Sequence, residues 1–160
     1  LILSRNNLDS LPVLTRLRPS VTSLNLEYNA QLTHISASDL QPFTSLETLL
    51  LSGTGLTAVP DISPISGHVM TVKLSEFGAL ASPITTAGDQ EMASLVGTEV
   101  WLQQTQLVEL PFVCVDKPTT WHLQNSPLNL CLCSNAWIKQ AVEVAGELKI
   151  TVYLLIMSLY

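Results

Sequence analysis

Short apolar segments alternate with polar residues at regular intervals along the chain. In the clearest segment, Leu24 and Leu26 alternate with Ser23, Asn25 and Glu27. A period of two places successive side chains on opposite faces of an extended strand. The pattern therefore predicts a β-strand with its leucines in a core and its polar residues toward solvent.

The same pattern recurs along most of the chain. Its second strand leucine falls at Leu3, Leu26, Leu51, Leu74 and Leu102, in steps of 23, 25, 23 and 28 residues. Three residues after each of these leucines come Asn6, Asn29, Thr54, Phe77 and Thr105. One such repeat cannot bury its own apolar residues, so neighbouring repeats have to stack and share a core.

These repeats resemble leucine-rich repeats, whose template is L-x-x-L-x-L-x-x-N/C-x-L. The resemblance implies an α/β fold: a curved solenoid with short parallel strands on its concave face and irregular or short helical returns. About five repeats would occupy residues 1–120. Because Leu1 already lies inside a repeat, we expect that the N-terminal sequence is incomplete. A helical turn is predicted between Gln90 and Leu95.

Polar residues after the strands are expected to hold the turns. Asn6 and Asn29 can hydrogen-bond the turning backbone and can adopt unusual dihedral angles. Thr54 and Thr105 replace them in two repeats, where a hydroxyl group would make the bond.

Residues 121–148 resemble the C-terminal cap of extracellular leucine-rich-repeat proteins. The matching residues include Pro127, Cys131, Cys133 and Trp137. The resemblance implies a short helix that covers the end of the solenoid, since an open end exposes core. It also implies an incomplete cap, because the family pairs both cysteines with later ones and none follows Cys133. The sequence departs from the family at Ser126, where asparagine is usual, and at one extra residue, Leu130.

The cysteines leave several interpretations open. With Cys114 the chain has three, so at least one is a free thiol or pairs with another chain. Cys131 and Cys133 can instead be buried thiols of a cytosolic protein. A zinc site with His122 is disfavoured, because the spacing matches no zinc motif.

The apolar tail, residues 149–160, is shorter than the roughly 20 residues of a membrane span. It can be a truncated anchor, part of an altered cap or an artefact of translation. Membrane anchoring therefore stays possible only for a longer protein.

Composition removes other classes of function. Hydrophobic residues make up 47% of the 160 residues, charged residues 12%, and the net charge is -6. The seven basic residues never cluster, which argues against nucleic-acid binding. The histidines form no metal pair and no nucleotide or nucleophile motif is present. We therefore expect no catalytic residues, no metal and no cofactor.

The resemblance implies protein–protein recognition by a secreted or cell-surface protein, such as an adhesion or receptor-like ectodomain. Two alternatives are a cytosolic regulatory scaffold and the accessory repeats of an enzyme whose catalytic domain is missing. The residues predicted on the binding face are Asn25, Glu27, Tyr28, Leu50, Lys73, Glu99, Trp101 and Gln103. Ser52 and Ser75 occupy outward positions of the same pattern. Trp101 stands out because exposed aromatic residues are enriched at binding hot spots. A register slip of one residue would instead turn it inward and Leu102 outward.

Overall fold

The structure, a computed structural model, describes residues 1–12, 18–75, 83–108 and 120–123. Its sheet consists of β1 (Ser23–Asn25), β2 (Thr48–Leu50), β3 (Thr71–Lys73), β4 (Glu99–Trp101) and β5 (Thr120–His122). All neighbouring strands are parallel, and their order in the sheet is their order in the chain. Ile2 adds one further parallel bridge, to Asn25. The chain is therefore a solenoid with little helix, as predicted, in which each coil is one strand and its return segment.

The register of the sheet agrees with the sequence pattern. Asn25 pairs with Leu50, Leu50 with Lys73, and Lys73 with Trp101. The residues on either side of this row form the core and are buried: Leu24, Leu26, Leu49, Leu51, Val72, Leu74, Val100 and Leu102. Each buried side chain of this size contributes about 1.5–3 kcal/mol relative to its exposed state. Because parallel pairing aligns them, every coil covers the apolar surface of the next.

The return segments contain little regular structure. A 3-10 helix covers Arg18–Ser20, and two short α-helices follow, α1 (Ala37–Leu40) and α2 (Asp89–Ser94). The second confirms the helical turn predicted from the sequence. A capping box begins α1: the Ser36 hydroxyl accepts a bond from the Asp39 N–H, and the Asp39 carboxylate accepts one from the Ser36 N–H. Hydrogen bonds from Ser36 hold the pKa of Asp39 below its ordinary value of 3.8.

The turns after the strands have a recurring backbone conformation. A residue with positive φ lies two positions after the strand leucine in four coils: Arg5, Tyr28, Gly53 and Gln104. The unusual dihedral angle predicted at Asn6 and Asn29 therefore falls on the residue before each of them. The reversal needs its left-handed residue at the first turn position, and the residue after it supplies the hydrogen bonds.

Asn29 confirms the predicted role of asparagine in binding the turn. Its amide nitrogen donates to the carbonyl oxygens of Leu26, at 2.8 Å, and Leu3, at 2.9 Å. Its amide oxygen accepts from the N–H groups of Asn6 and Leu8, both at 3.0 Å. Asn29 thus joins the β1 coil to the coil before it. Thr54 makes the expected hydroxyl bond, to the carbonyl oxygen of Leu51 at 2.8 Å.

The last strand was not predicted from the sequence. β5 crosses the boundary expected between residues 120 and 121, and Trp121 and Leu123 extend the core beyond the fifth repeat. The other residues predicted in the cap and its tail, together with Cys114, lie outside the described residues. They include Pro127, Cys131, Cys133 and Trp137.

Candidate functional site

The candidate site lies on the sheet face opposite the core, which we call the open face. Its central row runs across the strands and consists of Ile2, Asn25, Leu50, Lys73, Trp101 and His122. Adjacent strands are about 4.8 Å apart, so neighbouring side chains of the row are within contact distance. The predicted binding residues are partly or fully exposed on this face, and Tyr28 lies where β1 ends.

Trp101 is held between residues of the two flanking strands. On one side the imidazole of His122 stacks on the indole, with ring centroids 3.7 Å apart and ring planes 15° apart. The Nζ atom of Lys73 lies 5.7 Å from the indole centroid. Trp101 is partly buried whereas Leu102 is completely buried, which excludes the register slip considered above. Within the described residues the indole N–H donates no hydrogen bond.

Glu99 fixes the position of His122. One carboxylate oxygen lies 3.0 Å from Nε2 of His122, and the other accepts a bond of 3.5 Å from the Thr71 hydroxyl. The side chain of His122 is only 11% exposed, compared with 43% for Glu99. The contact is an ion pair only when the imidazole is protonated. Thr71, Lys73, Glu99, Trp101 and His122 together form what we call the Trp101 cluster.

A second group of polar residues lies at the other end of the open face. The Asn25 amide donates to the Glu27 carboxylate at 3.3 Å and accepts a bond of 3.0 Å from the Glu27 N–H. The guanidinium carbon of Arg5 lies 4.6 Å from the centroid of the Tyr28 ring, within cation–π distance. Leu50 separates this group from the Trp101 cluster. The structure thus divides the predicted binding residues into two sets.

The serines expected on this face are instead buried. Ser52 is 1% exposed and Ser75 0%. The chain turns inward at this point, because Gly53 adopts a left-handed conformation directly after Ser52. Ser75 accepts a hydrogen bond of 3.2 Å from the N–H of Gln103. Of this row, Glu27 and Gln103 remain partly exposed, so the accessible site is narrower than the alternation predicted.

His122 was not among the predicted site residues, although the sequence contains a signal for it. Leu123 follows Leu102 by 21 residues, a step within the range of the repeat, and Trp121 takes the place of Val100. The sequence analysis assigned this segment to the cap. Recognition of a sixth repeat would have placed His122 next to Trp101.

The described residues limit the chemistry of the site in two respects. They contain no group of three or more histidine, cysteine or acidic side chains arranged to hold a metal ion. In this same part of the chain, every helix is too short and too polar to cross a membrane. What the open face offers is a fixed aromatic ring, hydrogen-bonding groups and charges of both signs.

Comparison of the chain with protein-family models, with curated proteins and with solved structures finds no match in any of the three. The repeats and the C-terminal segment are therefore not assigned to a family. The function has to be argued from the side chains of the open face.

Proposed function

We propose that this chain is a recognition module of the leucine-rich-repeat type that binds another protein through the open face of its sheet. In this proposal the open face is the concave face of a curved solenoid, and the segment after β5 begins its cap. The burial of template positions such as Leu46, Leu49, Leu51 and Leu56 supports the repeat type. The proposal gives the chain no catalytic role.

The environment of Trp101 is the observation that carries the proposal. Tryptophan is among the residues most enriched at binding hot spots. A side chain that is already fixed loses little conformational entropy when a partner binds. His122 and Lys73 fix the indole of Trp101, and Glu99 in turn fixes His122. The indole edge and its N–H group remain for a hydrogen-bond acceptor on the partner.

The charges of the open face fit a protein partner better than a nucleic acid. Arg5 and Lys73 are balanced by Glu27 and Glu99, so this face has no excess of positive charge. Binding to a phosphate backbone depends on basic side chains that displace counterions. Mixed charges around an aromatic centre are typical of the polar rim of protein interfaces.

We place the protein outside the cell or at its surface, because the segment with Cys131 and Cys133 resembles an extracellular cap. Disulfides form and persist in oxidising compartments. Thiol labelling of the protein isolated from its cells, without prior reduction, tests this location. Protected cysteines support it, and two freely labelled thiols in the complete protein would favour the cytosolic alternative.

The binding proposal is tested with the Trp101→Ala, Trp101→Phe and Met70→Ala variants. Met70 is an exposed apolar side chain outside the central row and serves as the control. Immobilised wild-type chain is used to retain proteins from native cell surfaces, and the affinity of each retained protein is then measured for all variants. A true partner should bind Met70→Ala normally and Trp101→Ala about 30-fold more weakly, as expected for a hot spot.

Trp101→Phe keeps a ring on His122 but lacks the indole N–H, so its affinity should lie between those of the other two variants. Free energies of unfolding show whether each variant is folded at the assay temperature. The proposal is wrong if folded Trp101→Ala retains the same proteins with unchanged affinity. It is equally wrong if affinity falls only in proportion to the unfolded fraction.

A further inference from the structure

A cavity of about 340 Å³ lies on the return side of the solenoid, away from the open face. Residues 33–37 of the β1 coil form one wall and residues 56–61 of the β2 coil form the other. Glu91 of α2 lines it as well. Its volume is at the lower end of the range of about 300–1,000 Å³ that is usual for ligand sites. The open-face proposal makes no use of it.

The cavity opens because two neighbouring coils separate after a close contact. At Gly55 a side-chain methyl group would overlap the carbonyl oxygen of Ala30, so the two backbones touch there. Further along, the β2 coil is bonded to the β3 coil instead. In the part of the chain that the structure describes, no backbone hydrogen bond joins residues 33–37 to residues 56–61. The gap therefore interrupts the stacking of the coils.

One wall of the cavity has a free β-edge at Ala58. Ala58 forms a parallel bridge with Thr86, in which Thr85 donates to Thr57 at 2.9 Å and Val59 donates to Thr86 at 3.0 Å. In an extended strand, successive residues direct their N–H and C=O groups to opposite sides. The N–H and C=O groups of Ala58 therefore face the cavity, and neither has a hydrogen-bond partner among the described residues. Such an edge can accept an added strand.

The lining of the cavity favours a basic side chain. It contains the carboxylates of Asp61 and Glu91 and the imidazole of His34. The Asp61 carboxylate is already oriented, by the N–H of Ser63 at 2.8 Å and the amide of Gln90 at 2.7 Å. The remaining lining includes the buried apolar residues Ile35, Leu56 and Val59. An apolar wall with carboxylates suits the aliphatic stem and the ammonium group of lysine.

We propose that this cavity binds an extended peptide segment that carries a lysine. The peptide backbone pairs with the N–H and C=O groups of Ala58, and the lysine ammonium lies near Asp61 and Glu91. The site is separate from the Trp101 cluster, so it does not depend on the function proposed for the open face.

The test is a titration of the ¹⁵N-labelled chain with two blocked tripeptides, acetyl-Val-Lys-Val-amide and acetyl-Val-Gln-Val-amide. We expect saturable shifts of the Ala58 and His34 amide signals with the lysine peptide, and binding of the glutamine peptide at least about fivefold weaker. The Asp61→Asn/Glu91→Gln double variant should reduce the affinity for the lysine peptide by a similar factor. Trp101→Ala should leave that affinity unchanged.

Three results would overturn the proposal. They are no saturable shift at millimolar peptide, equal affinity for the two peptides, and shifts confined to the strands of the open face. The comparison of the peptides is made on the unaltered chain, so the outcome does not depend on whether the double variant folds.

Discussion

The imidazole of His122 lies flat against the indole of Trp101, with 3.7 Å between the ring centroids. The two residues are 21 positions apart in the sequence and adjacent in the sheet, because Trp101 pairs with His122 between β4 and β5. Glu99 holds the imidazole from the same strand as the indole. The most ordered part of the candidate site therefore exists only when the last two coils are stacked.

The Trp101–His122 stack should contribute measurably to stability. We expect a double-mutant cycle with Trp101→Ala and His122→Ala to give a coupling free energy of about 0.5–1.5 kcal/mol, the usual range for aromatic pairs. The measurement is the free energy of unfolding in urea for the wild type, both single variants and the double variant. Additive effects, within about 0.3 kcal/mol, would contradict a stabilising contact.

Asn29 should be the most sensitive polar residue of the β1 turn. Asn29→Ala removes bonds to two carbonyl groups and two N–H groups across two coils. Because these groups are left without partners in a buried place, we expect the variant to lose about 2–4 kcal/mol of unfolding free energy. Asn6→Ala is the control, since its exposed side chain donates only to Ser4, and it should cost about 0.5 kcal/mol or less. Equal losses for the two variants would refute the role of Asn29 as a bridge between coils.

Two adjacent leucines of β2 test the orientation of the sheet. Leu49 is completely buried, whereas Leu50 lies partly exposed on the open face. Leu49→Ala should lower the unfolding free energy by about 2–5 kcal/mol, because it creates a cavity in the core. Leu50→Ala should cost about 1 kcal/mol or less. The thermal or urea unfolding of both variants decides this, and a reversed order would mean that the strand faces the other way.

The capping box of α1 makes a small part of the stability dependent on pH. Because the pKa of Asp39 is lowered in the folded state, its carboxylate stabilises the protein above the ordinary value of 3.8. This contribution is lost as the pH falls through the lowered pKa of the folded state.

Comparison of the wild type with Asp39→Asn isolates this contribution. The wild type should be more stable by about 0.5–1 kcal/mol between pH 5 and 7, the usual value of a cap, and the difference should shrink below pH 3.8. Unfolding in urea at several pH values gives the result. A difference that stays constant down to pH 2 would show that the carboxylate has no special role.

The sequence alone determined where the strands lie and which of their residues face the core. Leu24, Leu49, Val72 and Val100 are all buried as the alternation predicted. That prediction succeeds because a strand directs successive side chains to opposite faces, so one apolar face identifies the register. The position of α2 was readable for a similar local reason, from the loop that departs from the repeat.

Only the tertiary structure decided which of these positions come together. Lys73, Trp101 and His122 are separated by 28 and 21 residues, and they meet because return segments of different lengths still deliver their strands in register. The burial of Ser52 and the gap beside Ala58 also depend on how neighbouring coils approach each other. Alternation along one strand reports only the two faces of that strand. Contacts between coils depend on the packing of segments far apart in the chain.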